Sequence, residues 1–95
     1  MSYTEINAHL VAPKRFVTMA HLNQVEQADY PALQESTGLS VSDLSKILRD
    51  LEERGLVEIS KERRTRYGAT LVRLSPQGKK TFGNLLATLS RIAGH

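Results

Sequence analysis

The 95-residue chain contains no cysteine. Disulfides, thiolate metal sites and cysteine nucleophiles are therefore all excluded. No apolar run approaches the length of a membrane span, and the first residues lack the basic and apolar regions of a signal peptide. A soluble cytoplasmic protein with no membrane partner is expected. No internal repeat or low-complexity segment is present. His9, His21 and His95 are scattered and have no ligand spacing, so neither a metal nor a cofactor is expected. The carboxylates are not arranged for acid–base work, and no serine, histidine and acid cluster is suggested. The chain does not read as an enzyme. Its length suits one domain spanning residues 1–95, with a core that is modest but sufficient without staples.

Charge is unevenly spread. The net charge of +3 hides five Lys/Arg against nine Asp/Glu in residues 1–60, which is −4, and eight against one in residues 61–95, which is +7. A one-sided basic half suggests a polyanionic partner.

The best-marked stretch is Ser40 to Gly55. Ser40 can cap a helix, with Asp43 completing a capping-box-like pair that suits the positive helix end. Gly55 follows the last periodic residue, where a left-handed C-cap wants no side chain. At helical spacing Val41, Leu44, Ile47, Leu48 and Leu51 share one side, and Ser42, Ser45, Lys46 and Arg49 share the other. The second face is short, hydrogen-bonding and cationic, as a helix in a major groove requires. An ordinary amphipathic helix with a solvated face would show the same pattern, so its surroundings decide between the two.

Before it, Met1 to Leu10 reads as a short helix or arm (residues 1–12), with Ser2 and Glu5 as a cap and Tyr3, Ile6 and Leu10 on one side. Pro13 opens a helix expected to run to about Val25, whose apolar residues spread round the axis as in a small bundle. Asp29 and Pro31 start a short helix over Tyr30 to Thr37 that buries Leu33 and stops at Gly38. With the Ser40 helix it forms a helix-turn-helix.

After Gly55 the pattern alternates. Leu56 to Ser60 and residues 70–74 read as strands of a hairpin, whose basic tip holds Lys61, Arg63, Arg64 and Arg66. Ser75-Pro76 then starts a helix to about Ala93. Gly78 and Gly83 weaken it, so it needs tertiary or partner contacts. Phe82, Leu85, Leu86, Leu89, Ile92 and Ala93 form a stripe about 120° wide, close to a two-stranded seam.

Helix, helix-turn-helix, hairpin and C-terminal helix follow in the order of a winged-helix DNA-binding domain. The run from Leu39 to Ile59, L-S-V-S-D-L-S-K-I-L-R-D-L-E-E-R-G-L-V-E-I, resembles the recognition helix and first wing strand of small bacterial and archaeal winged-helix repressors. Their recurring L-S-x-x-L-x-x-L-E-x-x-G-L-V-x-I is matched by Leu44-Ser45, Leu48, Leu51-Glu52, Gly55-Leu56-Val57 and Ile59. The segment R-L-S-P-Q-G-K, Arg73 to Lys79, is similar to their R-L-T-x-x-G-[KR]. The resemblance covers residues 13–80 and is closest to the MarR-like group and its short single-domain relatives. MarR-type regulators usually have longer terminal helices that build a dimer with a ligand cleft, and ArsR-type metal sensors use cysteines that this chain lacks. The resemblance thus implies DNA binding and dimerisation and supplies no effector.

The expected fold is mainly α with a β-hairpin: a winged helix-turn-helix with a three-helix core, a two-stranded wing and a C-terminal helix over 75–95 that dimerises. The expected partners are double-stranded DNA and a second copy of the chain. Ser40, Ser42, Ser45, Lys46 and Arg49 are the candidate contacts in the major groove, and Lys61, Arg63, Arg64 and Arg66 those of the wing to phosphates or minor groove. A solvated loop is the alternative for the wing cluster. Tyr67 is expected to pack on the hairpin rather than stack on DNA, and Asp50, Glu52 and Glu53 to hold structure or stay solvated. Ile6, Leu10, Phe82, Leu85, Leu86, Leu89 and Ile92 are the candidate dimer seam. In the alternative, the stripe folds back on its own core. The favoured function is a homodimeric repressor occupying its operator. A protein-interaction module, or an effector-responsive regulator binding an aromatic or phenolic ligand, are the other readings.

Overall fold

The computed structural model describes residues 2–62 and 69–94. Its first elements are short because each is capped separately. The Ser2 N–H donates to Glu5 Oε2 at 2.9 Å and encloses a 3-10 turn over Tyr3–Glu5. Asn7 then accepts from the Leu10 N–H at 3.1 Å and opens α1 (Ala8–Val11). The segment expected as one short helix is therefore two turns, interrupted at Ile6 and Asn7, which have extended backbones.

Helix α2 (Pro13–Leu22) begins at its proline and ends before the expected Val25. The residues beyond it, Asn23 to Gln27, are all exposed, so another turn would bury nothing. A two-residue strand, β1 (Ala28–Asp29), follows. Two residues carry no periodicity, so the sequence gives no sign of it, and pairing with a distant strand defines it. Asp29 also caps α3 (Tyr30–Thr37), accepting from the Ala32 N–H at 2.9 Å. Gly38 ends that helix in the left-handed region at φ 74°.

The stretch Ser40 to Gly55 forms the expected helix, although of the expected capping pair only the Ser40 half is seen, the Asp43 carboxylate being on Lys14. Ser40 Oγ accepts from the Asp43 N–H at 3.1 Å, α4 spans Val41–Glu53, and Gly55 takes φ 73°. Leu44, Ile47, Leu48 and Leu51 are all buried. Val41, expected with them, is 53% exposed: as the first residue of the helix it lies at the edge of the packed face.

Strands β2 (Val57–Glu62) and β3 (Ala69–Leu74) pair antiparallel, with Val57 opposite Leu74, Ile59 opposite Val72 and Lys61 opposite Thr70. Ala28 of β1 lies opposite Val72 on the other edge of β3, so the sheet order is β1-β3-β2. Alternation puts Val57, Val72 and Leu74 into the core and leaves Glu58 and Arg73 exposed.

Helix α5 (Pro76–Ala93) starts at a clasp that joins it to the end of α4. The Ser75 hydroxyl donates to the Gly55 carbonyl at 2.6 Å and accepts from the Gly78 N–H at 2.9 Å. The Ser75 N–H donates to the Leu56 carbonyl at 3.0 Å. The backbones approach so closely that a Cβ at residue 78 would lie 1.9 Å from the Leu56 oxygen. Only glycine fits there.

The apolar stripe of α5 divides, which corrects the expected seam. Phe82 and Leu85 are 1% and 3% exposed within this chain's own core, and the Phe82 ring packs on Phe16 with centroids 5.4 Å apart. Leu10 is also fully buried, and Ile6 is half-buried against the same core. These residues face inward because the hairpin and the first two helices together need a lid, and α5 provides it. Leu86 stays exposed, while Leu89 and Ile92 are half-buried.

Two glycine substitutions in α5 should have opposite signs. Gly83 is exposed with nothing near its missing Cβ, so Gly83→Ala should stabilise the fold by about 0.5–1 kcal/mol. Gly78→Ala should instead cost about 1–3 kcal/mol, since overlap with Leu56 outweighs the gain in helix propensity. Leu48→Ala, at the fully buried centre of α4, should cost about 2–5 kcal/mol. Urea unfolding of the three variants checks all of these.

Candidate nucleic-acid interface

Burial of one side of α4 sets its rotation and therefore decides what its other side presents. Ser42, Lys46 and Arg49 are exposed and Ser45 is half-buried. With Asp50 and Glu53 they line a shallow open depression along the helix. Among the described residues, neither Lys46 nor Arg49 makes an ion pair. Their charges are available to an anion. Ser40 is exposed at the helix start, but its hydroxyl is committed as the cap.

The face is not uniformly cationic. Asp43 and Asp50 flank Lys46 three residues before and four residues after it, yet both carboxylates are engaged elsewhere. Lys14 Nζ donates to Asp43 Oδ2 at 2.9 Å. That hydrogen bond, then the Lys14 charge and more weakly that of Lys46, holds the Asp43 carboxyl below its ordinary range. Asp50 is hydrogen-bonded to His9 Nε2 and accepts from Arg54 Nε at 3.2 Å. Partial burial acts most strongly on Asp50 and would raise its pKa. The hydrogen bonds from Arg54 and His9, with their charges, outweigh it and leave the pKa lowered.

Sequence reasoning misses the two long-range partners, because Lys14 and His9 lie 29 and 41 residues from their acids. Arg54 at i+4 from Asp50 is legible in principle. Glu52 and Glu53, expected to hold structure or stay solvated, are exposed and make no ion pair among the described residues.

Helix polarity orders the face further. The hydroxyls and Lys46 occupy the first half of α4, near the positive helix end, while Asp50, Glu52 and Glu53 lie in the second half. Of the wing cations, Lys61 is exposed on β2 opposite Thr70. Arg63, Arg64, Arg66 and Tyr67 lie outside the described residues. Arg73 is exposed and pairs across the strands with Glu58 at 3.5 Å. Among the described residues no group of three or more His, Asp or Glu could hold a metal ion, and no helix is long and apolar enough to cross a membrane.

Comparison with known proteins shows the family and the fold. A family model described as a winged helix DNA-binding domain matches residues 14–93. A transcriptional regulator homologue from Pyrococcus horikoshii OT3 superposes with a TM-score of 0.86 at 25% identity, covering 93% of this chain and 87% of that one. The PcaV transcriptional regulator from Streptomyces coelicolor, solved with its natural ligand, shares the fold with a TM-score of 0.79 at 20% identity over 95% of this chain. The present chain spans 62% of the length of that PcaV chain. A MarR-family regulator from Porphyromonas gingivalis W83 shares the fold at a TM-score of 0.70 and 20% identity, over 90% of this chain and 79% of that one. A comparison with curated protein sequences finds no match.

The lowered carboxylates should make a small contribution to stability that is lost in acid. A carboxyl whose pKa is depressed by folding adds stability above its unfolded value, and that stability is lost as pH falls through the folded value. Asp50→Asn should therefore flatten the decline of melting temperature between about pH 5 and pH 3 relative to the parent. Thermal melts across that range check the expectation, and an unchanged slope contradicts it.

Proposed function

The chain belongs to the winged helix DNA-binding domain family, and from that premise we propose that it is a homodimeric transcriptional regulator. It binds a specific duplex sequence and represses by occupying its operator. The observation that carries this reading is the outer face of α4, where Lys46 and Arg49 stand exposed and, among the described residues, unpaired beside Ser42 and Ser45. Arginine and lysine can donate to guanine O6 and N7, and serine can bond to either kind of base edge. The part of α4 from Ser42 to Arg49 enters the groove, since Asp50, Glu52 and Glu53 at its C-terminal end would meet phosphates unfavourably. Lys61 and the wing arginines Arg63, Arg64 and Arg66 contact backbone or minor groove beside it. The positive sequence balance of residues 61–95 supports that assignment over a solvated loop.

Dimerisation follows from the small footprint of one such domain, which needs two half-sites for useful selectivity. Apolar residues left at the surface of the terminal elements include Leu86, the half-buried Leu89 and Ile92, and Tyr3 and Val11 in the N-terminal turns. They support a seam narrower than the full stripe, and leave Phe82, Leu85 and Leu10 to the core.

Selection of bound duplexes from a random pool tests the function, and the recovered half-site spacing tests the two-fold arrangement. On the selected site Arg49→Ala should weaken binding by about 1–3 kcal/mol with the fold intact. Replacing Arg63, Arg64 and Arg66 with alanine should weaken binding to all sequences alike and reduce the salt slope by about 0.9 for each phosphate no longer neutralised. Sedimentation equilibrium should show a dimer that Leu86→Glu dissociates. A pool that yields no enriched sequence defeats the operator reading, and a parent that stays monomeric defeats the dimer.

A further inference from the structure

We propose that the N-terminal segment frees the reading face: Lys14 and His9 are positioning residues that keep Asp43 and Asp50 off Lys46. This rests on the reading of α4 as the DNA-contacting helix. Asp43 and Asp50 stand at i−3 and i+4 from Lys46 on the same helix, the two spacings at which opposite charges pair on a helical surface. Left to itself, α4 would bracket its own lysine with two carboxylates. In the folded chain Lys46 has no ion-pair partner among the described residues. Both acids are instead drawn to cations and donors from outside the reading face. Asp43 holds Lys14 of α2 at 2.9 Å. Asp50 is hydrogen-bonded to His9 of α1 and accepts from Arg54, one turn on, at 3.2 Å.

The segment that carries these groups is itself fixed. Leu10 is fully buried, Arg15 Nε donates to the His9 carbonyl at 2.6 Å, and Glu5 Oε1 accepts from Arg91 Nη2 of α5 at 2.9 Å. His9 and Lys14 are therefore held beside α4. The proximity of Lys46 to Asp43 is already felt, since the lysine charge contributes to the lowering of that carboxyl. Removing Lys14 and His9 leaves Asp43 with Lys46 as its nearest helical partner and Asp50 divided between Arg54 and Lys46. A phosphate or base edge must then displace a carboxylate to reach Lys46. DNA binding so depends on residues that need not touch DNA.

The test combines His9→Ala with Lys14→Ala in the full chain. The probe is a mixed-sequence duplex of about 30 base pairs, whose electrostatic binding does not depend on knowing the operator. Affinity should fall roughly three- to fivefold, as two exposed pairs of ordinary helical strength would give. The same double change in a Lys46→Ala background should have no further effect. A loss of equal size there would make Lys14 or His9 a direct DNA contact and overturn the proposal.

A second measurement needs no DNA. With lysines reductively dimethylated with 13C, the Lys46 methyl signal should shift to that of a paired ammonium in the His9→Ala/Lys14→Ala protein. It should return when Asp43→Asn and Asp50→Asn are added. An unmoved Lys46 signal overturns the proposal whatever the DNA result. A shifted signal with parental DNA affinity would leave the pairing switch standing and count against α4 as the reading helix. If the alanine pair unfolds, as circular dichroism would show, His9→Leu with Lys14→Met carries the same comparison, because these side chains keep the bulk and remove both the donors and the charge.

Discussion

The structure depends above all on burial of Leu44, Ile47, Leu48 and Leu51 along one side of α4. A helix of 13 residues is marginal in water without such packing. The same burial that stabilises it also fixes its rotation about its axis. No separate device is needed to aim Ser42, Lys46 and Arg49 outward, because they occupy the only side left. Changes that loosen the leucine face therefore disturb the polar face as well. Both ends of the helix are held by specific chemistry. Ser40 caps the first turn, and beyond Gly55 the Ser75 hydroxyl and the Gly78 backbone close on Gly55 and Leu56. The clasp sets where the hairpin leaves α4 and where α5 begins, so α4, the hairpin and α5 share one fixed corner.

Electrostatics then works within that frame on a small scale. The exposed pairs Lys14–Asp43 and Arg54–Asp50 are individually worth little to stability. Their consequence is local: they determine which charges of α4 are already satisfied and which remain for a polyanion. Among the described residues the face keeps its two cations unpaired although four acids share the helix, Asp43, Asp50, Glu52 and Glu53. Net charge alone would not reveal this, since residues 1–60 are acidic in sum while their outward helix face carries free positive charge.

Helix α5 shows how one apolar stripe can serve two ends. Its inner side gives Phe82 and Leu85 to the core, where Phe82 packs on Phe16 across to α2. Its outer edge leaves Leu86 in solvent, with Leu89 and Ile92 between. Periodicity identifies the stripe as apolar, but it cannot say whether a helix face meets its own chain or another copy. A domain of this size has few other large side chains with which to cover its hairpin, and the inner half of α5 is used for that.

The sequence by itself determined what depends on neighbours within about one helical turn. The caps at Ser2, Asp29, Ser40 and Ser75, the stops at Gly38 and Gly55, and the span of α3, α4 and α5 are all of this kind. Each is set by side chains and backbone groups three or four residues apart, and their order along the chain was enough to indicate the winged-helix fold and a cationic outer face on α4. Tertiary structure alone decided the rest. Strand β1 exists because Ala28 meets Val72, Gly78 is required because Leu56 passes within reach of its missing Cβ, and the acids beside Lys46 are engaged because α1 and α2 bring His9 and Lys14 to them. These contacts join residues 22 to 44 positions apart, and no local propensity encodes them. They arise only when the buried faces of separate elements have already chosen how to pack.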